Sequence, residues 1–212
     1  QWDKKQPGEW NEKDAKKLLS DSPWAQSQTF ADPNQSTRTA RSNDQSQTAI
    51  VEEVYATLRV RFFSSKPIRQ AIARTLALQL GEKITEEQTA QLKQMAEFDF
   101  SNQIVVTVLV DSSKPSQFSR QAMATLGRLT TESLKGKTYL EVKGAKRVDL
   151  QEYQRPQRDG FGARLIFPRL VDGQPVIAET SEVIVNSELG GPFSIKMKFK
   201  AKDMVYQGKL DY

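Results

Sequence analysis

The chain has 212 residues, of which 27% are charged, and a formal net charge of +5 at pH 7. It contains no cysteine and no histidine, which excludes disulfides, thiolate metal sites, cysteine nucleophiles and histidine general bases. The length is sufficient for a hydrophobic core without a stabilising metal or disulfide. Basic and acidic side chains balance over residues 1–100 and the excess is spread over the remainder, unlike the clustered basic surface typical of nucleic-acid binding.

The first 24 residues contain all three tryptophans, at positions 2, 10 and 24, and a short predicted helix. Asn11 is positioned to cap this helix and Pro23 prevents its continuation. A helix this short is marginal alone, so its apolar edge must pack on something. Two interpretations stay open: packing on the protein's own body, or docking on another subunit or on sugar rings. The second gives a set of candidate partner-binding residues: Trp2, Trp10, Leu18, Leu19, Trp24 and Phe30.

Residues Ala25–Thr48 contain thirteen Gln, Ser or Thr side chains and one large apolar side chain, Phe30. This composition predicts a linker or extended arm that has no core of its own. We therefore divide the chain into an N-terminal helix and arm, residues 1–48, and a body, residues 49–212. A further boundary near residues 155–162 is an alternative.

The body opens with apolar and polar residues in alternation from Ile50 to Phe63, which predicts a strand. Apolar residues then recur every fourth position from Ile68 to Leu80, which predicts a helix that ends at Gly81. The pattern Thr85-x-x-Gln88 is a capping box and opens a second helix.

Beyond these helices the sequence predicts a strand at Gln103–Val110, a single long helix at Ser116–Leu134, and mostly strands thereafter. The dipeptide Asp172-Gly173 is a strong turn signal. Because helices precede hairpins rather than alternating with strands, the order predicts an α+β fold. We expect an antiparallel or mixed sheet with helices packed on it and C-terminal β-hairpins.

The segment FSIKMKFKAK, from Phe193 to Lys202, alternates apolar residues with lysines. If Gly190-Gly191-Pro192 is the connecting loop, Leu189 lies opposite Phe193 and Glu182 opposite Lys200, so the apolar faces match. We interpret the lysines as the solvent-facing side of an edge strand that resists aggregation. The alternative is a face that binds an acidic partner such as an anionic surface polymer, formed by Lys196, Lys198, Lys200 and Lys202.

The sequence contains no catalytic or cofactor signature. Neither glycine-rich site, Gly160-Phe161-Gly162 or Gly190-Gly191, has the spacing of a phosphate-binding loop, and no EF-hand or G-x-S-x-G pattern is present. No apolar stretch approaches the length of a membrane helix. We expect a protein without enzymatic activity, cofactor, metal, nucleic-acid partner or membrane span.

The opening stretch WNEKDAKKLLSDSPWA, Trp10–Ala25, and the closing stretch DMVYQGKL, Asp203–Leu210, resemble a group of uncharacterised bacterial secreted proteins over most of the length. The resemblance implies secretion and carries no activity or site residue. Because the chain begins with Gln1 rather than Met, we also expect removal of a signal peptide and a periplasmic, cell-surface or extracellular location. The expected function is a structural protein that self-associates, as an oligomer or fibre, through its N-terminal segment. The alternative is a monomeric module that binds a small ligand or glycan.

Overall fold

The computed structural model describes residues 2–34, 54–111, 113, 115–144 and 147–212. Its α-helices are α1 Glu12–Ser20, α2 Lys66–Leu80, α3 Glu86–Glu97, α4 Gln117–Arg128 and α5 Thr131–Leu134. Its strands are β1 Ala25–Ala31, β2 Tyr55–Phe62, β3 Gln103–Val110, β4 Thr138–Val142, β5 Val148–Asp149, β6 Glu152–Gln154, β7 Ala163–Pro168, β8 Leu170–Val171, β9 Gln174–Pro175, β10 Glu182–Gly190, β11 Phe193–Lys200, β12 Val205–Tyr206 and β13 Lys209–Leu210. The fold is α+β with antiparallel sheets, as expected.

The predicted caps form. Asn11 accepts a hydrogen bond from the backbone N–H of Asp14 at 2.9 Å and begins α1. Thr85 and Gln88 form a reciprocal capping box at the start of α3. Both predictions are confirmed. The physical reason is that each capping side chain accepts a hydrogen bond from a backbone N–H group that the start of a helix leaves without a partner.

The single long helix predicted at Ser116–Leu134 is wrong, because α4 and α5 are separate helices. The helical backbone ends at Leu129, which has an extended conformation with a ψ of 155°. Thr130 then accepts a hydrogen bond from the N–H of Ser133 at 3.1 Å and caps α5. Thr130 thus begins a new helix where apolar spacing alone predicts continuity.

Two sheets carry most of the strands. Sheet A has the order β1-β2-β3-β7-β6, and sheet B has the order β11-β10-β4-β5. The pairs β8-β9 and β12-β13 form two small ribbons.

The interpretation of Ala25–Ala31 as part of a linker is wrong, because these residues form β1, which pairs antiparallel with β2 along its full length. Polar side chains contribute to holding the strand. Gln26 and Gln28 donate through Nε2 to the carbonyls of Lys198 and Ser194 in β11, at 2.6 and 3.1 Å. A strand can therefore form here with few apolar side chains. The remainder of the predicted arm, residues 35–48, lies outside the described residues, as does the start of the predicted first body strand.

The hairpin β10-β11 has the predicted register, with Glu182 opposite Lys200 and Val185 opposite Met197. Leu189 was predicted to lie opposite Phe193, and this detail is wrong. The register shifts between Glu188 and Gly190, so that Gly190 pairs with Phe193. Gly190 has a φ of 101°, which glycine adopts readily and other residues rarely do.

The core lies between the two sheets. The Phe62 and Phe199 ring centroids are 4.9 Å apart, and those of Phe30 and Phe193 are 5.5 Å apart. One cluster of buried side chains includes residues of α1, β1 and both sheets, so α1 and β1 share the core of the body. On the opposite face of sheet A, helices α1, α2 and α3 border two cavities.

Candidate ligand-binding cleft

Arginines occupy the face of sheet A that points away from the core. Arg61 of β2 lies opposite Thr107 of β3, which lies opposite Arg164 of β7. Arg59 lies opposite Leu109 one pair further along. Because side chains alternate between the two faces of a strand, these residues share the helix-covered face.

Arg61 is the most deeply buried arginine of this row, with 5% of its surface exposed. Its Nε donates to the Leu19 carbonyl in the last turn of α1 at 2.7 Å, a common way to satisfy a carbonyl at a helix end. The terminal Nη1 and Nη2 make no hydrogen bond or ion pair within the part of the chain that the structure describes. No fully buried side-chain nitrogen or oxygen among the described residues lacks a partner, so these two nitrogens are not fully enclosed. Arg61 is one of the residues that line the adjoining cavity.

The surroundings of Arg61 disfavour its charge. Burial lowers the pKa of the Arg61 guanidinium to about 10, and the nearby charge of Arg59 adds to this shift, against the opposing effect of Asp111. The side chain remains cationic at neutral pH. It is thus a buried cation without an acidic hydrogen-bond partner among the described residues.

The neighbouring arginines are each paired. Arg59 forms an ion pair with Asp111. Burial acts to raise the pKa of Asp111, but hydrogen bonds from Ser113 and the charge of Arg59 hold it below its usual value. Arg164 forms an ion pair with Asp159 at 2.6 Å. Among these three arginines, Arg61 is therefore the one whose charge is not matched.

Arg61 lines a cleft with a volume of about 430 Å³ between α1, α2 and sheet A. This size is within the range of small-molecule sites. Part of its wall is apolar, formed by Leu19, Ile72, Leu76, Leu109 and Phe161. The rest is polar or charged, formed by Glu12, Lys16, Arg59, Arg61, Thr75, Gln79 and Asp159. Glu12 and Lys16 of α1 lie at the cleft on the exposed face of that helix. The arrangement can bind an anion at Arg61 and an apolar group against the apolar part of the wall.

A second cavity of about 480 Å³ lies on the same face of sheet A, beside α3. Phe63, Phe98 and Phe100 line it, and Phe98 is 57% exposed. The ring of Phe161, from the other cleft, lies 5.3 Å from that of Phe63. The two cavities are therefore neighbours on either side of this aromatic pair.

The described residues contain no group of three or more acidic, His or Cys side chains placed to hold a metal. A search of the same residues finds no helix long and apolar enough to cross a membrane.

The candidate partner-binding residues of the N-terminal segment do not form a surface patch. Trp10, Leu18 and Trp24 are fully buried, Leu19 nearly so, and Trp2 and Phe30 are partly buried against the same core. Of the two interpretations, packing on the protein's own body is the one found here. The Trp24 Nε1 donates to the Asp211 carbonyl at 2.5 Å, which joins the N-terminal segment to the C-terminal one.

The lysines of β11 face solvent as predicted. Lys196, Lys198 and Lys200 are exposed on the outer face of sheet B, and Lys198 pairs with Glu182 at 2.8 Å. Lys202 lies beyond the strand in a short 3-10 turn, so three lysines rather than four form the row. Among the described strands, β11 lies at one edge of sheet B.

The arginines of the cleft were not identified as a site from the sequence. Alternation in β2 places Arg59 and Arg61 on the polar face of a strand, which normally means a solvated face. No local signal marks them, because α1 and α2 cover this face only after folding.

Comparisons of the chain with protein-family models, with curated proteins and with solved structures found no match.

Proposed function

We propose that this protein is a binding module that takes a small anionic ligand in the cleft between α1, α2 and sheet A. The observation that carries the proposal is Arg61, a buried cation that lines the cleft and whose two terminal nitrogens have no protein partner among the described residues. A buried charge is costly unless it is paired. An anionic ligand supplies the missing partner.

A purely structural role explains only part of Arg61. Its Nε bond to the Leu19 carbonyl attaches the end of α1 to sheet A. One donor suffices for that bond, and arginine has five in a planar fork. Arg74 serves as a control arginine with the same kind of bond. Its Nε donates to the Trp10 carbonyl at 2.6 Å, but the side chain does not line the cleft.

The test is an NMR titration of the ¹⁵N-labelled protein with acetate, benzoate, phosphate and sulfate. We expect saturable shifts at the backbone amides of Arg59–Arg61 and the last turn of α1, lost in Arg61→Met and retained in Arg74→Met. Shifts that are absent with all four anions, or unaffected by Arg61→Met, would contradict the proposal.

Self-association through the N-terminal segment is a second candidate. The observation in its favour is that α1 and β1 pack on the body through buried tryptophans and a complete β1-β2 ladder. A second copy has the same contacts to offer, which is the condition for domain swapping. The self-association would then be an exchange of residues 2–34 between copies, in place of an exposed patch.

Thr29 and Thr57 allow a direct test of exchange. They pair across β1 and β2, with hydroxyl oxygens 2.8 Å apart, and the chain has no native cysteine. In Thr29→Cys/Thr57→Cys, an exchanged dimer forms disulfides between chains, whereas a monomer forms one within the chain. A dimeric band on a non-reducing gel, from protein oxidised at high concentration, is expected. A monomeric band alone would rule out exchange through this segment.

A secreted location, implied by the resemblance of the end segments, remains part of the proposal. Fractionation of bacterial cells that express the gene with its own upstream sequence tests it, and retention in the cytoplasm would contradict it.

A further inference from the structure

We propose that the ligand of the cleft is an amphipathic monocarboxylate, with one carboxylate group on an aliphatic or aromatic body. The inference rests on the proposed function, because it names the class of anion that the same cleft takes.

The charges around the cleft favour a single negative charge on the ligand. Arg59 is matched by Asp111, and Asp159 is matched by Arg164. Glu12 and Lys16 lie one helical turn apart on α1 and offset each other at the cleft. One cation, Arg61, remains. The charged side chains that line the cleft leave a net charge of +1, so a dianion such as a phosphate monoester would bring more negative charge than they offset.

The donors that Arg61 has left fit a carboxylate. Its Nε is used by the Leu19 carbonyl, so the remaining fork is the end formed by Nη1 and Nη2. Two parallel N–H groups on a planar guanidinium match the two oxygens of a carboxylate. The ligand carboxylate therefore approaches the guanidinium end-on.

Five apolar side chains of the cleft favour an apolar body behind that carboxylate. Leu19 comes from α1, Ile72 and Leu76 from α2, and Leu109 and Phe161 from the sheet side. Thr75 and Gln79 of α2 also line the cleft and can partner a polar group, but hydroxyl groups that faced the five apolar side chains would have no hydrogen-bond partner there. A hydrocarbon chain or ring instead gains from the area it buries.

The experiment measures the affinity of the full chain for butyrate, hexanoate and octanoate by calorimetry, with 1-octanol and octyl phosphate as comparison probes. Each methylene that enters the cleft should raise the affinity roughly fourfold. Octanol lacks the charge and should bind roughly 10- to 100-fold more weakly than octanoate.

Two variants separate the parts of the site. Arg61→Met should lower octanoate affinity roughly 10- to 100-fold, while Arg74→Met leaves it unchanged. Leu76→Ala should weaken octanoate more than butyrate, because the half-buried Leu76 lines the apolar wall. The chain-length series on the unmodified protein decides the question even if Arg61→Met does not fold.

The outcomes distinguish this inference from the proposed function. If anions bind through Arg61 but affinity does not depend on chain length, or octyl phosphate binds more tightly than octanoate, the carboxylate inference is wrong and the anion site stands. If none of the anionic probes binds in an Arg61-dependent manner, both are wrong. Octanol binding as tightly as octanoate would mean an apolar site without anion recognition.

Discussion

Arg69 and Arg61 are buried to nearly the same extent but differ in how many of their guanidinium nitrogens donate hydrogen bonds. Arg69 is 4% exposed and donates to the carbonyls of Phe63, Ser64, Ala96 and Phe98. Arg61 has one carbonyl partner, Leu19, within the described part of the chain. A buried guanidinium whose three nitrogens all donate, as in Arg69, stabilises its surroundings, whereas one with two unpartnered nitrogens costs free energy until something binds them.

This difference predicts different costs of substitution in the absence of ligand. Arg69→Met should lower the free energy of unfolding by about 3 kcal/mol or more, because four carbonyls lose a charged donor. Arg61→Met should change it by less than about 1 kcal/mol, because the lost Leu19 bond is offset by removal of a buried, poorly matched charge. Urea unfolding at pH 7 measures both. Equal losses in the two variants would assign Arg61 a structural role only.

Asp211 predicts a pH dependence of stability. Burial raises the pKa of Asp211 above its ordinary value, although the Lys66 N–H and the charges of Arg69, Arg169 and Lys66 oppose the shift. The folded state therefore holds this proton more tightly than the unfolded state. The free energy of unfolding contributed by Asp211 should fall as pH rises from about 3.8 through the folded pKa.

Asp211→Asn should remove that fall. The amide oxygen of Asn can still accept the Lys66 N–H at the start of α2, so the contact is retained while the charge is lost. We expect the variant to be at least as stable as the unmodified protein at pH 7, with the difference vanishing near pH 3.5. Urea unfolding at both values checks this, and a loss of stability at pH 7 would show that the charge itself stabilises the fold.

The edge of β11 is covered by side chains, and no further strand among the described residues pairs with it. Gln26 and Gln28 point from β1 toward sheet B and donate to two backbone carbonyls of β11. Lys196, Lys198 and Lys200 add charge along the same strand. Both features discourage pairing with another chain at this edge.

Gln26→Val/Gln28→Val should therefore increase association. We expect the free energy of unfolding to fall by about 1–3 kcal/mol, from two lost hydrogen bonds. We also expect concentration-dependent light scattering, because the β11 carbonyls become available for pairing. Thr29→Val is the control on the same strand, since Thr29 contacts Thr57 rather than β11. Equal scattering from the control would mean that strand hydrophobicity, not the uncovered edge, causes association.

At the scale of the whole molecule, Trp24 joins three parts of the chain. Its carbonyl accepts the Phe62 N–H of sheet A, and its indole donates to Asp211. Its ring also meets Trp2 and Tyr206 edge-on, with centroid distances of 5.6 and 6.4 Å. The N-terminal segment is thus an integral part of the core.

Trp24→Ala should lower the free energy of unfolding by about 3–5 kcal/mol, as removal of a buried aromatic side chain does. Trp2→Ala should lower the free energy of unfolding by less, because Trp2 is only partly buried. The substitution also keeps the hydrogen bond from Trp10, which goes to the backbone carbonyl of residue 2. Urea unfolding followed by circular dichroism measures both. A small effect of Trp24→Ala would mean that the segment docks on a body that is stable without it.

The sequence alone determined the features that depend on neighbours along the chain. Local hydrogen bonding predicts the caps at Asn11 and Thr85. Alternation predicts the strands β3 and β10 and the β10-β11 register, except at the turn, where Gly190 rather than Leu189 pairs with Phe193. The sequence failed at Thr130 and in the strand β1, where a polar cap and two glutamines outweigh apolar patterning.

Only the tertiary structure shows what covers the polar face of β2. Alternation placed Arg59 and Arg61 together, but it does not say whether water or a helix covers them. Nor does the sequence say that the three tryptophans pack on their own chain rather than on a partner. Both outcomes depend on contacts between residues far apart in the chain, such as Leu19 with Arg61 and Trp24 with Asp211, and such contacts leave no periodic signal in the sequence.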